Sequence, residues 1–261
     1  MPSVLKMFSL EDKVAIVTGG AGLYGRYIVQ ALAEAGASVL VASRNEPQIG
    51  HFAAELSSSG LSVYSQPCDL TKEIEILQLK NFVVDRFGKL DILFNNAVGR
   101  AGRGFHEMSA DEWETSMRVN STGLFLACKH LSEPMREQRS GSIVNIASIY
   151  GMVGPDFSIY EGTNLQNPAN YSFSKGGMIN FTRYLAAILG PDGIRVNCIS
   201  PGGLATPDMP ENFKQHYAGR TLLGRMAGSD DIKGAAVFFA SDASAYVTGV
   251  NLPVDAGWTA I

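Results

Sequence analysis

The strongest constraint on this chain is an alternation. Short β-branched runs recur at Val14 to Thr18, Ser38 to Ser43, Leu61 to Pro67, Leu90 to Asn95, Ser142 to Ser148, Arg195 to Ser200 and Asn251 to Asp255. Between them lie longer stretches with one apolar face at helical spacing, such as Tyr24 to Glu34, Ile74 to Phe87, Asp111 to Met135, Tyr171 to Leu189 and Asp230 to Phe239. Gly36, Gly60, Gly88 and Gly141 punctuate the passage from helix to strand, where a left-handed residue commonly closes a helix. Right-handed crossovers turn such a pattern into an α/β doubly wound Rossmann fold, a seven-stranded parallel sheet with helices on both faces. Its ligand crevice lies at the carboxyl ends of the strands.

A length of 261 residues with 46% hydrophobic content suits one core, so residues 1–261 are read as a single domain. The net charge of −4 disfavours nucleic acid and anionic membrane as partners and favours a small molecule. Cys68, Cys128 and Cys198 are too few and too scattered for a disulfide framework or a zinc site, which suits a reducing cytoplasm. The four histidines form no liganding pair, so no metal is expected and surface or loop positions are assigned to them. No apolar run approaches membrane-spanning length.

The first strand runs through Thr18-Gly19-Gly20-Ala21-Gly22-Leu23-Tyr24-Gly25 into a helix. Glycines there let a pyrophosphate approach the backbone, and the helix N-terminus supplies N–H donors and partial positive charge. Tyr171-Ser172-Phe173-Ser174-Lys175 places a phenol and an ammonium four residues apart on one helix face. A phenol is a ready proton donor but a poor base at neutral pH, with an ordinary pKa of about 10. A lysine about 6 Å away would contribute about 3 kcal/mol toward the phenolate at an effective dielectric near 20, so the chemistry needs a shielded cleft.

Together these segments resemble the short-chain dehydrogenase/reductases, over essentially the whole chain. The glycine loop resembles that family's cofactor signature, with Leu23 where the middle glycine is usual and Gly22 one position earlier. Asp69-Leu70 is similar to its adenine-contacting pair, and Asn95-Asn96-Ala97 to its NNAG motif, with Val98 replacing the glycine. Pro201-Gly202-Gly203-Leu204 with Thr206 resembles the turn that covers the nicotinamide, and Asn251 to Trp258 the terminal strand and interface tail. The resemblance implies hydride transfer between a nicotinamide and an alcohol or carbonyl, without a metal. It assigns Tyr171 as acid/base, Lys175 as its partner, Ser148 as a hydrogen bonder to the reacting oxygen and Asn120 as the residue that positions a water and relays protons. It assigns Gly19, Gly22, Leu23, Tyr24, Gly25, Asp69, Leu70, Asn96, Ala97, Tyr171, Lys175, Pro201, Gly202, Leu204 and Thr206 to the cofactor, and it implies a homotetramer.

The second strand ends Ser43-Arg44-Asn45 without a carboxylate. Arg44 can pair with a 2′-phosphate and Ser43 can donate to it, which favours NADP over the alternative, NAD. Ser148 and Tyr171 are separated by 22 residues, where the family more often has about a dozen. The inserted stretch from Gly154 to Asn170 offers Asp156, Tyr160, Glu161 and Asn164 to a hydroxylated substrate such as a sugar, polyol or keto acid. Its Ile159 to Thr163 run is similar to bacterial reductases of sugar and flagellin-modification pathways. Packing against the sheet or another subunit is the competing role for this stretch. Residues 149–170 and 203–228 are expected to frame the substrate, with Ala205 to Arg220 as a lid. Two other functions remain open. A 3-ketoacyl-carrier reductase would need a basic patch, to which Arg100 and Arg103 could contribute, and a non-catalytic dinucleotide sensor would use the same fold without turnover.

Overall fold

The computed structural model describes residues 3–102 and 104–261. Seven parallel strands form one sheet: β1 (Val14–Thr18), β2 (Ser38–Ser43), β3 (Val63–Pro67), β4 (Ile92–Asn95), β5 (Gly141–Ile146), β6 (Ile194–Pro201) and β7 (Asn251–Val254). Their spatial order is β3-β2-β1-β4-β5-β6-β7, so the winding reverses between β1 and β4 and opens a crevice there. In register, Thr18 lies opposite Ala42 on one side and Asn95 on the other, which brings the glycine loop and the Asn95-Asn96-Ala97 segment to one strand edge.

Helices cover both faces. Ile28 and Leu32 of α1 (Leu23–Glu34), Ile49 and Phe52 of α2 (Glu46–Ser58) and Phe239 of α8 (Lys233–Ala240) pack on Val17, Val39 and Phe94. Opposite them, α3 (Glu73–Phe87), α5 (Leu124–Glu137) and α6 (Ala169–Leu189) bury Leu79, Leu131 and Met178 against Ile16, Leu93 and Ile143. The expected architecture stands, with strand and helix ends moved by one to three residues at several termini. No helix of the described residues is long and apolar enough to cross a membrane.

Several sequence expectations need correction. The segment from Asp111 to Met135 is not one regular helix. It comprises α4 (Ala110–Met117), a π-helical turn over Arg118–Gly123 and α5, and it runs on past Pro134 to Glu137. Two helices fall outside the five predicted segments. One is α2, started by the Asn45 side chain accepting from the Gln48 N–H with Pro47 in the first turn. The other is α7 (Glu211–Gly219), whose apolar face is little more than Phe213 and Tyr217.

Gly36, Gly60 and Gly88 do adopt positive φ, but Gly141 does not. Arg139 takes the left-handed position instead, with φ 53°, and Gly141 opens β5 where a Cβ would sit 2.7 Å from the Met135 sulfur. His130 is neither on the surface nor in a loop. It is buried on α5, with Nε2 2.6 Å from Glu73 and Nδ1 3.1 Å from Glu133.

Candidate active site

The glycine loop is built for close backbone approach. Gly19 has φ +62°, and a Cβ there would lie 2.8 Å from the Ala97 Cα; one on Gly25 would lie 2.6 Å from the Asn96 amide nitrogen. Asn96 donates to the carbonyls of Thr18 and Gly19, while the Thr18 hydroxyl accepts from the Asn96 and Ala97 N–H groups. The ends of β1 and β4 are thus locked together beside the crevice. Gly22 caps α1 in extended conformation and Leu23 begins the helix, 46% exposed. Neither Leu23 nor Val98 has positive φ, so the two departures from the usual glycines carry no backbone penalty. A loop kept free of side chains and opening onto the start of α1 fits a dinucleotide pyrophosphate.

The other expected cofactor residues lie at or just beyond the carboxyl ends of the strands. Tyr24 is half-buried, and its hydroxyl donates to the Gly202 carbonyl at 2.9 Å, which staples the loop after β1 to the loop after β6. Pro201 closes β6, Leu204 is buried and bridges to Ala227, and the Thr206 hydroxyl is spent on Asp208. Ser43 ends β2, and Arg44 beyond it is exposed. Arg44 helps to hold the Asp69 carboxyl below its usual range, although hydrogen bonds from Thr71 contribute more. Leu70 is buried on the opposite side of this edge, where a Cβ on Gly123 would touch it at 3.0 Å.

Tyr171 and Lys175 both lie on α6, and the Lys175 ammonium is 5.7 Å from the Tyr171 ring centre. Lys175 is buried and donates to the Ile146 carbonyl at the end of β5. Desolvation lowers its pKa to about 8, and the charge of Arg100 pushes in the same direction. Ser148 lies two residues beyond β5, and its hydroxyl accepts from the Tyr150 N–H. The next turn packs closely on α6, so close that a Cβ on Gly151 would come within 2.7 Å of the Lys175 backbone. Asn120 is buried in the π-helical turn, and its side chain is fully engaged: Oδ1 accepts from the Gly99 N–H at 2.7 Å, and Nδ2 donates to the Gly99 carbonyl at 2.9 Å and to Ser116 at 3.0 Å. That side chain therefore holds a loop.

One residue by the phenol was assigned only to a carrier-docking patch. The Arg100 guanidinium stands 5.7 Å from the Tyr171 ring centre, in the loop that Asn120 holds. Its position after the fourth strand was the available signal. Arg103, the other arginine considered for that patch, lies outside the described residues.

The inserted stretch is less polar in effect than its composition suggests. Asp156 accepts from Ser158 and pairs with Arg220 at 3.0 Å, and the Tyr160 hydroxyl is 3.0 Å from that of Tyr150. Ile149, Ile159, Phe213, Tyr217, Met226 and Trp258 form a separate apolar cluster under it. α7 joins the same wall, because Asn212 donates to the Glu161 and Gly162 carbonyls. Between the insertion and the loop after β4 lies a cavity of about 490 Å³, lined mainly by Phe105, Pro155, Phe157, Tyr160, Leu165 and Ala169.

A glycine cradle at the winding reversal, with a tyrosine and a buried lysine one helical turn apart beside it, defines a dinucleotide-dependent oxidoreductase of the short-chain type. The chain belongs to the short-chain dehydrogenase/reductase family: the family model described as Enoyl-(Acyl carrier protein) reductase matches residues 22–259. It is 35% identical to cyclopentanol dehydrogenase of Comamonas testosteroni over 97% of this chain and all of that one. It is 34% identical to cis-4-hydroxycyclohexanecarboxylate dehydrogenase of Sinomonas cyclohexanicum, covering 97% and 99% of the two chains. Among solved structures, a gluconate 5-dehydrogenase from Burkholderia cenocepacia with NADP and tartrate superposes with TM-score 0.88 at 28% identity, covering 99% of this chain and 100% of that one. A short-chain dehydrogenase from Leptospira borgpetersenii with NAD+ gives 0.87 at 32% identity, covering 99% and 96%. The protein is an oxidoreductase that interconverts an alcohol and a carbonyl with a nicotinamide dinucleotide.

Proposed function

We propose that residues 1–261 act as a single catalytic domain, an NADP(H)-preferring dehydrogenase/reductase of small secondary alcohols and ketones, with Tyr171 as acid/base. The observation that carries this reading is the buried Lys175 ammonium beside the Tyr171 ring at 5.7 Å, next to the glycine cradle. The nicotinamide supplies the hydride acceptor or donor. In oxidation the substrate carbon gives up hydride and its hydroxyl gives its proton to Tyr171; reduction reverses both transfers. Lys175 keeps a positive charge beside the phenol, which favours the phenolate that must accept that proton. Ser148 hydrogen-bonds the reacting oxygen, and Asn120 fixes the loop after β4 and with it the floor of the site. Gly19, Gly22, Leu23 and Gly25 receive the pyrophosphate, Asp69 and Leu70 the adenine, and Asn96, Ala97, Pro201, Gly202, Leu204 and Thr206 the nicotinamide half.

The relatives named for cyclopentanol and cis-4-hydroxycyclohexanecarboxylate support a compact ring alcohol as substrate. So does an insertion whose main polar groups are already partnered. A cytoplasmic homotetramer, the assembly the family resemblance implies, completes this reading.

The preference for NADP(H) rests on Arg44, which is exposed at the end of β2 and makes no direct ion pair among the described residues, though its charge acts on Asp69. A charge-assisted contact to the 2′-phosphate is worth about 1.5–3 kcal/mol. Arg44→Ala is therefore expected to weaken NADPH binding by about 10- to 100-fold in a fluorescence titration and to leave NADH nearly unchanged. Tighter binding of NADH by the wild type would remove the phosphate role of Arg44. Tyr24→Phe deletes the hydroxyl that staples the two cofactor loops, and at about 1 kcal/mol for such a bond is expected to raise the NADPH Kd by about fivefold. An unchanged Kd would show that the staple plays no part in binding.

A further inference from the structure

We propose that Arg100 is the specificity-determining residue of this site and that the natural substrate is a secondary alcohol or ketone whose apolar body carries a carboxylate. The inference rests on the reading of Tyr171 as the reacting phenol and goes on to name the substrate class.

The first argument is how firmly Arg100 is held. Buried Asn120 clamps both the N–H and the carbonyl of Gly99, and the Ser116 hydroxyl adds a third bond to that carbonyl at 3.0 Å. On the other side, buried Asn170 at the start of α6 donates to the Ala101 carbonyl at 2.7 Å. Arg100 is the one residue between these clamps. An exposed arginine is ordinarily mobile, and the entropy of fixing it counts against any contact it makes. Here the backbone share of that ordering is met in the free protein.

The second argument is what the guanidinium faces. Arg100 and Lys175 stand at equal distance from the Tyr171 ring centre, 5.7 Å, but they differ in availability. Lys175 is buried and already donates to Ile146. Arg100 is exposed and has neither a carboxylate nor a hydrogen-bond acceptor among the described residues. A planar donor fork with nothing to donate to, beside the group that takes the substrate's proton, matches a carboxylate bidentately.

The third argument is a cavity that Arg100 does not itself line but whose wall it reaches through Tyr160, a lining residue on which the Arg100 charge acts. The 490 Å³ space is walled chiefly by aromatic and aliphatic groups and reaches Ser172, next to Tyr171 in sequence. Such a space suits a ring or short chain, while the carboxylate would stay on the Arg100 side of Tyr160. A polyol would find partners at Gln166, Asn167 and Ser172 but would set its other hydroxyls against Phe105, Phe157 and Leu165.

A merely electrostatic role for Arg100, acting on Tyr171 whatever the substrate, predicts equal losses on charged and neutral compounds. Two measurements separate the readings. Calorimetric titration of the NADP+-loaded wild type with cyclohexanecarboxylate and with its neutral isostere cyclohexanecarboxamide should favour the acid by tenfold or more. That preference should disappear in Arg100→Ala and return in part in Arg100→Lys. In steady state, the ratio of kcat/KM for 4-hydroxycyclohexanecarboxylate over cyclohexanol should fall at least tenfold in Arg100→Ala, mainly through KM. The proposal is overturned if the wild type binds acid and amide equally, or if Arg100→Ala loses both substrates in equal proportion. Should the wild type bind NADP+ but oxidise neither alcohol, the dehydrogenase reading is the one in difficulty, and the binding preference still decides the role of Arg100.

Discussion

Tyr171→Phe is expected to cut kcat by about 10³-fold or more, toward the upper end of what a single general acid–base contributes, while the NADPH Kd stays within about threefold of wild type. The reason lies in how the neighbouring groups are occupied. The Lys175 ammonium is directed to the Ile146 carbonyl, the Ser148 hydroxyl accepts from the Tyr150 N–H, and both polar atoms of the Asn120 amide are taken by Gly99 and Ser116. Lys175 and Asn120 are directed away from the substrate oxygen, and the Ser148 O–H, though free to hydrogen-bond that oxygen, is too weak an acid to exchange its proton as a phenol does. Phenylalanine keeps the ring and therefore its packing, so a loss of turnover with intact cofactor binding isolates the hydroxyl. Turnover surviving within tenfold would mean that the proton travels by another route.

Lys175→Met is expected to abolish turnover and yet to stabilise the cofactor-free protein at neutral pH. Burial lowers the lysine's pKa from 10.5 to about 8. The unfolded chain then binds more protons than the native one between those two values, so stability rises with pH across that window. Below pH 8 both states are charged and the native state carries the full burial cost, on the order of 3 kcal/mol. Methionine removes that cost but leaves the Ile146 carbonyl without its donor, which returns about 1–2 kcal/mol. A net gain of about 1–2 kcal/mol, or a few degrees in Tm, follows at pH 7 and should vanish by about pH 10. Thermal unfolding of the two proteins at pH 7 and pH 10 checks this. A variant less stable than wild type at pH 7 would mean that the lysine is stabilised where it lies.

The sequence carried the sheet because its central strands announce themselves through apolar residues buried on both faces, as in Val14 to Thr18, where all five residues are buried. It carried the pairing of Tyr171 with Lys175 because a four-residue spacing on a helix is local geometry. What it hid was tertiary. The π-helical turn at Asn120 looks like ordinary helix in sequence, and its distortion serves Gly99, which lies 21 positions away. α2 lay outside the segments named from periodicity because Pro47 and Gly50 weaken its helical pattern, and the Asn45 side chain that begins it is a contact seen only in the structure. The insertion left two roles open, a polar face for the substrate and packing against the fold. Two of its polar groups are already partnered: Asp156 serves Ser158 and Arg220, and Tyr160 meets Tyr150 across the fold. Composition shows which polar groups exist but cannot show which are already satisfied. Arg100 is the converse case: a loop arginine in sequence, it becomes notable only once two buried asparagines are seen to pin its neighbours.

The central claim, direct hydride exchange between a substrate alcohol and the bound dinucleotide, is tested most directly by an isotope transfer. The wild type would be incubated with NADP+ and a panel of cyclic, aliphatic and carboxylate-bearing secondary alcohols deuterated at the carbinol carbon, and the reduced cofactor weighed by mass spectrometry. The account predicts NADPH heavier by one deuterium with at least one of these alcohols, and none with Tyr171→Phe over the same interval. Tight NADP+ binding with no label transferred from any alcohol, and none returned from NADPH deuterated at the nicotinamide C4 to the matching ketones, would contradict it and point to a protein that binds the dinucleotide without using it.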